Sequence, residues 1–382
     1  LVSVTVNNID DAPRPQDDSV VVRENLTNSV NVTLNDAEVD GQTLVIQSCD
    51  DGAHGTTTEV GGTVTYTHSG LSRLDDQFDC VVTDGGLTET TTVFVDVIYC
   101  GDGAQQAPEE CDDGNLNNCD ACTNACKVGP NVKMVNISGG PFTMGDSAFT
   151  ASSPTRVVTV PSFQVSRAEI SVAQYRACVR AGGCSAAATT SGCTYRATAG
   201  TNDARPVNCV SWDQATQFAA WCLNDPDFVG TALSLPTEAQ WEYLAKGGAN
   251  QLYPSGNTVP SSRTQAVYNT TAPVNVCTVG VKTVAGLRVQ GPFNLCNLVG
   301  NVSEWTRDNY AAYSNTSPVD GSAVVIANNY NVVRGGSWST ARTSNLTSAY
   351  RLPLLRSQRR PEVGFRVACP AQGTCAFTGE AP

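Results

Sequence analysis

Over the first hundred residues apolar and polar side chains alternate; beyond residue 130 they largely do not. Val2, Val4 and Val6 alternate with Ser3 and Thr5, the pattern of a half-buried strand. A linker through Pro13 and the acidic pair Asp17-Asp18 follow, then a strand at Val20-Val21-Val22. His54-Gly55-Thr56 and Val64-Thr65-Tyr66-Thr67 read as middle strands. Residues 78–83 run into a hairpin turn at Asp84-Gly85-Gly86, and 91–97 form the last strand. Short alternating strands with Gly and Asp at their turns predict an all-β sandwich over 14–99. Cys49 and Cys80 fall on separate strands and are expected to pair. The strand within 1–13 is either the end of a preceding repeat or one donated to a neighbouring copy.

Beyond residue 130, a pair of helices is legible from capping residues. Ser211 with Gln214 forms a capping box, followed by Ala215, Phe218, Ala219 and Cys222 on one face. Thr237 with Gln240 repeats the device, burying Trp241, Leu244 and Ala245 before Gly247-Gly248 stops the helix. From Tyr253 to Val333 the chain is rich in Asn, Thr and Gly and has no period.

Charge divides the chain in the same place. Residues 1–129 carry 23 of the 36 acidic and 4 of the 23 basic side chains. An acidic front joined to a mildly basic C-terminal region argues against nucleic-acid binding. All five Trp (Trp212, Trp221, Trp241, Trp305 and Trp338) lie in the C-terminal region, which therefore holds the large apolar core. No apolar run reaches the length of a membrane span, and Leu1 opens on no signal-peptide pattern, as expected of a processed or truncated product. Sixteen cysteines with only His54 and His68 point to disulfides in an oxidising, extracellular or cell-surface setting.

Cysteine parity sharpens this. With Cys49 and Cys80 paired, residues 100–129 hold five cysteines (Cys100, Cys111, Cys119, Cys122 and Cys126). The C-terminal region holds nine: Cys178, Cys184, Cys193, Cys209, Cys222, Cys277, Cys296, Cys369 and Cys375. Both counts are odd, so full oxidation requires a bridge between the two regions. A free thiol in each region is the alternative.

Four motifs stand in order along the C-terminal region: 235–243 (Leu-Pro-Thr-Glu-Ala-Gln-Trp-Glu-Tyr), 300–305 (Gly-Asn-Val-Ser-Glu-Trp), Arg334-Gly335-Gly336-Ser337-Trp338 and Gly364-Phe365-Arg366. Thr347-Ser348-Ala349-Tyr350-Arg351 lies between the last two. Together they resemble the formylglycine-generating-enzyme (sulfatase-modifying-factor) family, a variant of the C-type-lectin-like fold, over about 130–370. Residues 14–99 resemble a bacterial cadherin-like repeat, and 100–129 the short disulfide repeat of secreted myxobacterial proteins. That repeat usually has four cysteines, with Asp120-Ala121-Cys122 fitting its third, so the resemblance implies Cys119 as the one that bridges to the C-terminal region. The expected fold class is therefore multidomain: an all-β sandwich, a small disulfide-rich repeat and an α+β lectin-like domain, with 371–382 as a tail.

The resemblance implies chemistry that this chain has altered. The family's oxidases carry a copper-binding cysteine pair shortly after the Gly-Gly-Ser-aromatic motif. Counting places those positions at Thr340 and Asn345, and no cysteine occurs from 297 to 368. Hydroxyl and amide groups do not replace a soft thiolate site. The related sulfoxide synthases hold iron through histidines, which two His in the front region cannot supply. Neither copper nor iron is expected. The family's structural calcium site, carried over, uses Asn297 and Glu304 side chains and the carbonyls of Gly300 and Val302, hard oxygen donors suited to calcium. Capping of a tight loop is the bland alternative. Asn269 matches one position of a second family calcium site whose acidic loop is missing. Asp36, Glu38 and Asp40 in the front turn, beside Asp10, Asp11, Asp17 and Asp18, form a weaker calcium candidate or a solvated acidic face. Asp112, Asp113, Asn115 and Asp120 read as disulfide-framed turns.

In the family's binding members, among them the variable proteins of diversity-generating retroelements, residues between the last two motifs form the ligand surface. From 334 to 366 there are seven Arg and one acid, Glu362. Arg334, Arg351 and Arg366 belong to motifs and are expected to be buried or paired. Arg342, Asn345, Arg356, Gln358, Arg359 and Arg360 are the candidate ligand residues, suited to an anionic glycan or an acidic protein face, including that of a neighbouring copy. Scattered solvated charge is the alternative. The first reading is a secreted binding, adhesion or assembly protein with a non-catalytic head. The others are a family enzyme with altered chemistry, and a filament subunit using 1–6 as an intersubunit strand.

Overall fold

The computed structural model describes residues 9–69, 74–101, 103–105, 109, 111–112, 118, 122–123, 129–222, 233–278, 281–282, 288–291 and 293–370. The strand expected at 1–6, Cys119, Cys126, Cys375 and the tail 371–382 lie outside these residues. The chain divides into two compact units, Leu1–Pro108 and Glu109–Pro382, so the unit boundary falls inside the stretch expected as a separate repeat.

The first unit is built from β1 (Asp18–Arg23), β2 (Thr27–Asn31), β3 (Val45–Cys49), β4 (Gly55–Val60), β5 (Thr63–His68), β6 (Asp76–Thr83) and β7 (Thr88–Ile98). They form a four-stranded sheet of order β1-β7-β6-β3 and a three-stranded sheet of order β2-β5-β4. Alternation buries one face of β5, β6 and β7: Val64 and Tyr66 from β5, Phe78, Cys80 and Val82 from β6, and Val93, Val95 and Val97 from β7 point into one core. Cys49 and Cys80 face each other across the β3–β6 ladder and are bridged.

In the second unit the strands are short and the helices few. β8 (Met134–Ile137), β9 (Gly140–Met144), β10 (Arg156–Val160) and β11 (Phe163–Ser166) lead into α1 (Val172–Arg180), α2 (Trp212–Cys222) and α3 (Glu238–Ala245). Then come β12 (Val281–Lys282), β13 (Arg288–Val289), β14 (Ser303–Asn309), β15 (Tyr330–Arg334), β16 (Arg351–Leu355), β17 (Val363–Gly364) and β18 (Ala368–Pro370). The sheet of order β16-β15-β14-β17 carries three of the four motifs, and the fourth lies on α3.

Both expected helices form with their boxes closed. Ser211 Oγ accepts from Gln214 N while Gln214 Oε1 accepts from Ser211 N, and Thr237 and Gln240 do the same. α1 has no counterpart among the helices expected from sequence, although Ser171 and Gln174 close the same box. Nor does the lack of period over 253–333 foretell β14. Three consecutive residues of β14 are buried, so it shows no alternation to find.

Every described cysteine is disulfide-bonded. Besides Cys49–Cys80, the bridges Cys111–Cys122, Cys178–Cys184, Cys193–Cys209 and Cys277–Cys296 are in place. Cys100, Cys222 and Cys369 are bonded as well. No helix among the described residues is long and apolar enough to cross a membrane.

Candidate functional site

The motif arginines build the interior of the second unit. Arg334, at the end of β15, donates from Nε to Glu238 Oε1 at 2.9 Å and from Nη2 to Glu242 Oε2 at 2.8 Å. Arg351, at the start of β16, grips the same Glu238 with Nε and Nη2, both at 2.7 Å. Burial alone would raise the Glu238 carboxyl, but the Arg334 and Arg351 guanidiniums overcome it and hold it below the usual range. Arg366 pairs bidentately with Glu304, both contacts at 2.7 Å, and Trp241 Nε1 adds a third donor at 2.9 Å. All three arginines are buried, as expected of motif residues. Removing one partner of such a pair strands a buried charge, so these motif residues have a structural role whatever the site does.

Above this network lies a cavity of about 300 Å³, lined among others by Gly336, Ser337, Ser339, Thr340, Asn345, Leu352 and Arg360. Gly336 has φ +65°, and a Cβ there would come within 2.7 Å of Leu346 Cδ2, which explains the glycine in the motif. The turn it allows brings Ser337 N to Thr340 Oγ1 at 2.9 Å and Ser337 Oγ to Ser339 Oγ at 3.1 Å. Thr340 and Asn345, where the oxidases would carry cysteines, both line the cavity. The polar lining comprises the hydroxyls of Ser337, Ser339 and Thr340, the Asn345 amide, Arg360 and the Glu362 carboxylate, among others.

The candidate ligand residues divide. Asn345 and Arg360 line the cavity, with Arg360 donating from Nε to Gln358 Oε1 at 3.1 Å. Arg342 and Arg359 are exposed but are not among its lining residues. Arg356, expected to be available, is committed: it pairs with Asp213, and its guanidinium lies 4.5 Å over the Trp212 ring. The partner in α2 is distant in sequence, so local charge patterning could not reveal it.

The calcium candidates gain a residue that no sequence motif singles out. Asn297 Nδ2 donates to Glu169 Oε2 at 2.9 Å, and Asn301 Nδ2 approaches the same oxygen at 3.4 Å. Glu169 is 1% exposed, and burial, then the nearby Glu304 charge, push its carboxyl up to about 8. Glu169 Oε1 and Asn297 Oδ1 are both buried without a hydrogen-bond partner. Two adjoining residues that each leave a buried oxygen unmatched are what a hard cation would explain, so the donor set fits calcium. Glu304 accepts three hydrogen bonds, which leaves some of its lone-pair capacity. Gly300, at φ +78°, and Val302 place their carbonyls on the intervening turn. Asn269, at φ +51°, donates its backbone N–H to Thr340 O.

In the first unit the acidic turn is tied down piecemeal. Gln16 N donates to Asp36 Oδ1, Gln42 N to Glu38 Oε2 and Asp11 N to Asp40 Oδ2. Burial, then the Asp36 charge, push the Asp18 carboxyl up to about 6. Among the described residues, Asp36, Glu38 and Asp40 do not bring three carboxylate oxygens within 4.8 Å of one another.

Comparison with known proteins agrees with this architecture. Residues 120–371 match the sequence profile of the sulfatase-modifying factor enzyme 1-like domain, well over half of the chain. The chain belongs to the sulfatase-modifying-factor family. Residues 10–96 match the bacterial Ig domain, the β-sandwich of the first unit. Over 137 residues (35% of this chain, 38% of the relative) the chain is 33% identical to the inactive C-alpha-formylglycine-generating enzyme 2 of Bos taurus. Over 174 residues (43% and 44%) it is 31% identical to the formylglycine-generating enzyme of Mus musculus. The chain thus spans about four tenths of the length of these curated relatives. The structure of PvdO from Pseudomonas aeruginosa superposes with a TM-score of 0.52 at 24% identity, covering 62% of this chain and 94% of that one, a likeness of fold.

Proposed function

We propose that the second unit is a binding head on the sulfatase-modifying-factor scaffold, without the family's oxidase chemistry, in a secreted or cell-surface adhesion or assembly protein. The observation that carries this reading is the cavity between the Gly-Gly-Ser-Trp and Gly-Phe-Arg motifs: Thr340 and Asn345 line it in place of the cysteine pair. The disulfides and the Ig-like front unit support an extracellular setting. Likeness to an inactive family member supports a head without catalysis, and likeness to a formylglycine-generating enzyme supports the alternative, an enzyme with altered chemistry. Calcium bound by Glu169, Asn297, Glu304 and the Gly300 and Val302 carbonyls is a structural component of this reading.

The ligand class follows from the donors. Arg360, Asn345 and the serine and threonine hydroxyls suit the carboxylate or sulfate of an anionic glycan or an acidic protein surface, with Glu362 the acidic side chain among the lining residues that such a ligand must avoid. Titration calorimetry with a sulfated glycan and with an Asp/Glu-rich peptide tests it. A charge-assisted hydrogen bond contributes about 1.5–3 kcal/mol, so Arg360→Ala should weaken binding roughly 10- to 100-fold. Arg356→Ala should leave affinity unchanged, because that guanidinium serves Asp213 and Trp212. Equal losses in the two variants, or no binding of either polyanion by the parent chain, would remove the support for this site.

A further inference from the structure

A second cavity in this unit is larger than the one between the motifs. A cleft of about 810 Å³ opens between the start of α1, the chain entering β8 and the loop that carries Cys277. Its walls include Val132, Ala168, Ala173, Ala204 and Val276, mostly small apolar side chains. Lys133 and Arg167 line it too, as does Glu169. Ala173, Ala204 and Lys133 are exposed, so they mark the mouth, whereas Glu169 at 1% exposure marks the deep end. The first backbone amides of α1 do not define the site, since Val172 N and Ala173 N donate to Arg205 O and Asp203 O.

Charge balance narrows what such a cleft can take. The acidic lining residues are Asp203 and Glu169. Asp203 is already paired bidentately with Arg176, at 2.8 and 2.7 Å. Glu169 receives Asn297 and Asn301 and keeps Oε1 for a cation. With that cation in place the Glu169 carboxylate at the deep end is neutralised, and Lys133 adds positive charge at the mouth. An apolar body with an oxyanion fits both features. The cleft adjoins the calcium residues covalently as well: Cys277 in its wall is bridged to Cys296, the neighbour of Asn297.

We propose that this cleft is a second ligand site, distinct from the cavity between the motifs, and that it binds a small amphipathic carboxylate only when the Glu169–Asn297 cation is present. The proposal rests on the calcium reading, and its test separates the two. The thermal midpoint of the full chain is measured in calcium and in EGTA, each with and without 4-phenylbutyrate, octanoate or indole-3-acetate, with 4-phenylbutanol as the uncharged control. Calcium alone should raise the midpoint. At least one carboxylate should raise it further and saturably in calcium, none should in EGTA, and the alcohol should do neither. Ala204→Trp fills the exposed mouth and should keep the calcium shift while losing the carboxylate shift. Lys133→Ser, a milder surface change, should reduce carboxylate affinity several-fold. No calcium shift would overturn the calcium reading and this proposal with it. A calcium shift with no carboxylate effect, or a carboxylate shift that survives EGTA or Ala204→Trp, would overturn this proposal alone.

Discussion

Charge inside the second unit is matched one side chain at a time, each buried guanidinium against a carboxylate from another element. Arg334, Arg351 and Arg366 are legible as interior residues because each belongs to a motif, and each is buried on a carboxylate. Arg356 is not, because its partners Asp213 and Trp212 come from another element. Glu169 escapes notice for the same reason: it meets Asn297 across 128 residues of chain, and nothing in its local spacing marks it. Asp308 offers a prediction at this scale. Its carboxyl, pushed up to about 7 by burial and then by the Glu238 charge, accepts from Glu238 N at 2.6 Å and Val324 N at 2.8 Å. Between the unfolded carboxylate range near pH 4 and about pH 7 the folded state holds a proton that the unfolded chain has lost. The stability contributed by this group is therefore fully present below about pH 4 and declines as pH rises towards 7, by about 1.4 kcal/mol per unit at most. Asp308→Asn lacks this proton. In urea unfolding across that range its deficit relative to the parent should shrink as pH rises; a deficit independent of pH would refute the assignment.

Elements are legible in proportion to how local their signals are. The capping boxes at Ser211 and Thr237 locate α2 and α3, and the same box at Ser171 is the signal that could have located α1. Alternation reveals β5 to β7, where one sheet face meets the core, and fails for β14, buried on both sides. Disulfide parity is a signal of another kind, since it constrains elements far apart in sequence. The bridges Cys178–Cys184, Cys193–Cys209 and Cys277–Cys296 leave Cys222, Cys369 and Cys375 of the nine to be matched. Asn118 N donates to Cys222 O at 3.0 Å, and Asn118 Nδ2 to Trp221 O at 2.8 Å, which sets the segment just before Cys119 against the end of α2. Cys222 is bonded. Non-reducing peptide mapping should therefore recover a Cys119–Cys222 cross-link. Recovery of Cys222 bound to Cys369 or Cys375 instead would contradict this pairing, and the third of these cysteines would then have to bridge to the 100–129 region.

At the scale of the molecule, an Ig-like unit and a sulfatase-modifying-factor unit share one chain, and the second carries hydroxyl, amide and charged side chains at the motif cavity. The scaffold is readable because its glycines, capping residues and buried ion pairs are fixed by packing. The ligand is not, because recognition depends on side chains brought together from separate loops. A cavity that binds without oxidising is checked by cuprous-ion affinity together with oxygen uptake on a thiol peptide. The parent chain should show no tight Cu(I) binding and no uptake above the peptide alone, whereas Thr340→Cys with Asn345→Cys should gain Cu(I) binding at the cavity. Tight Cu(I) binding by the parent chain, with turnover of the peptide, would contradict the account.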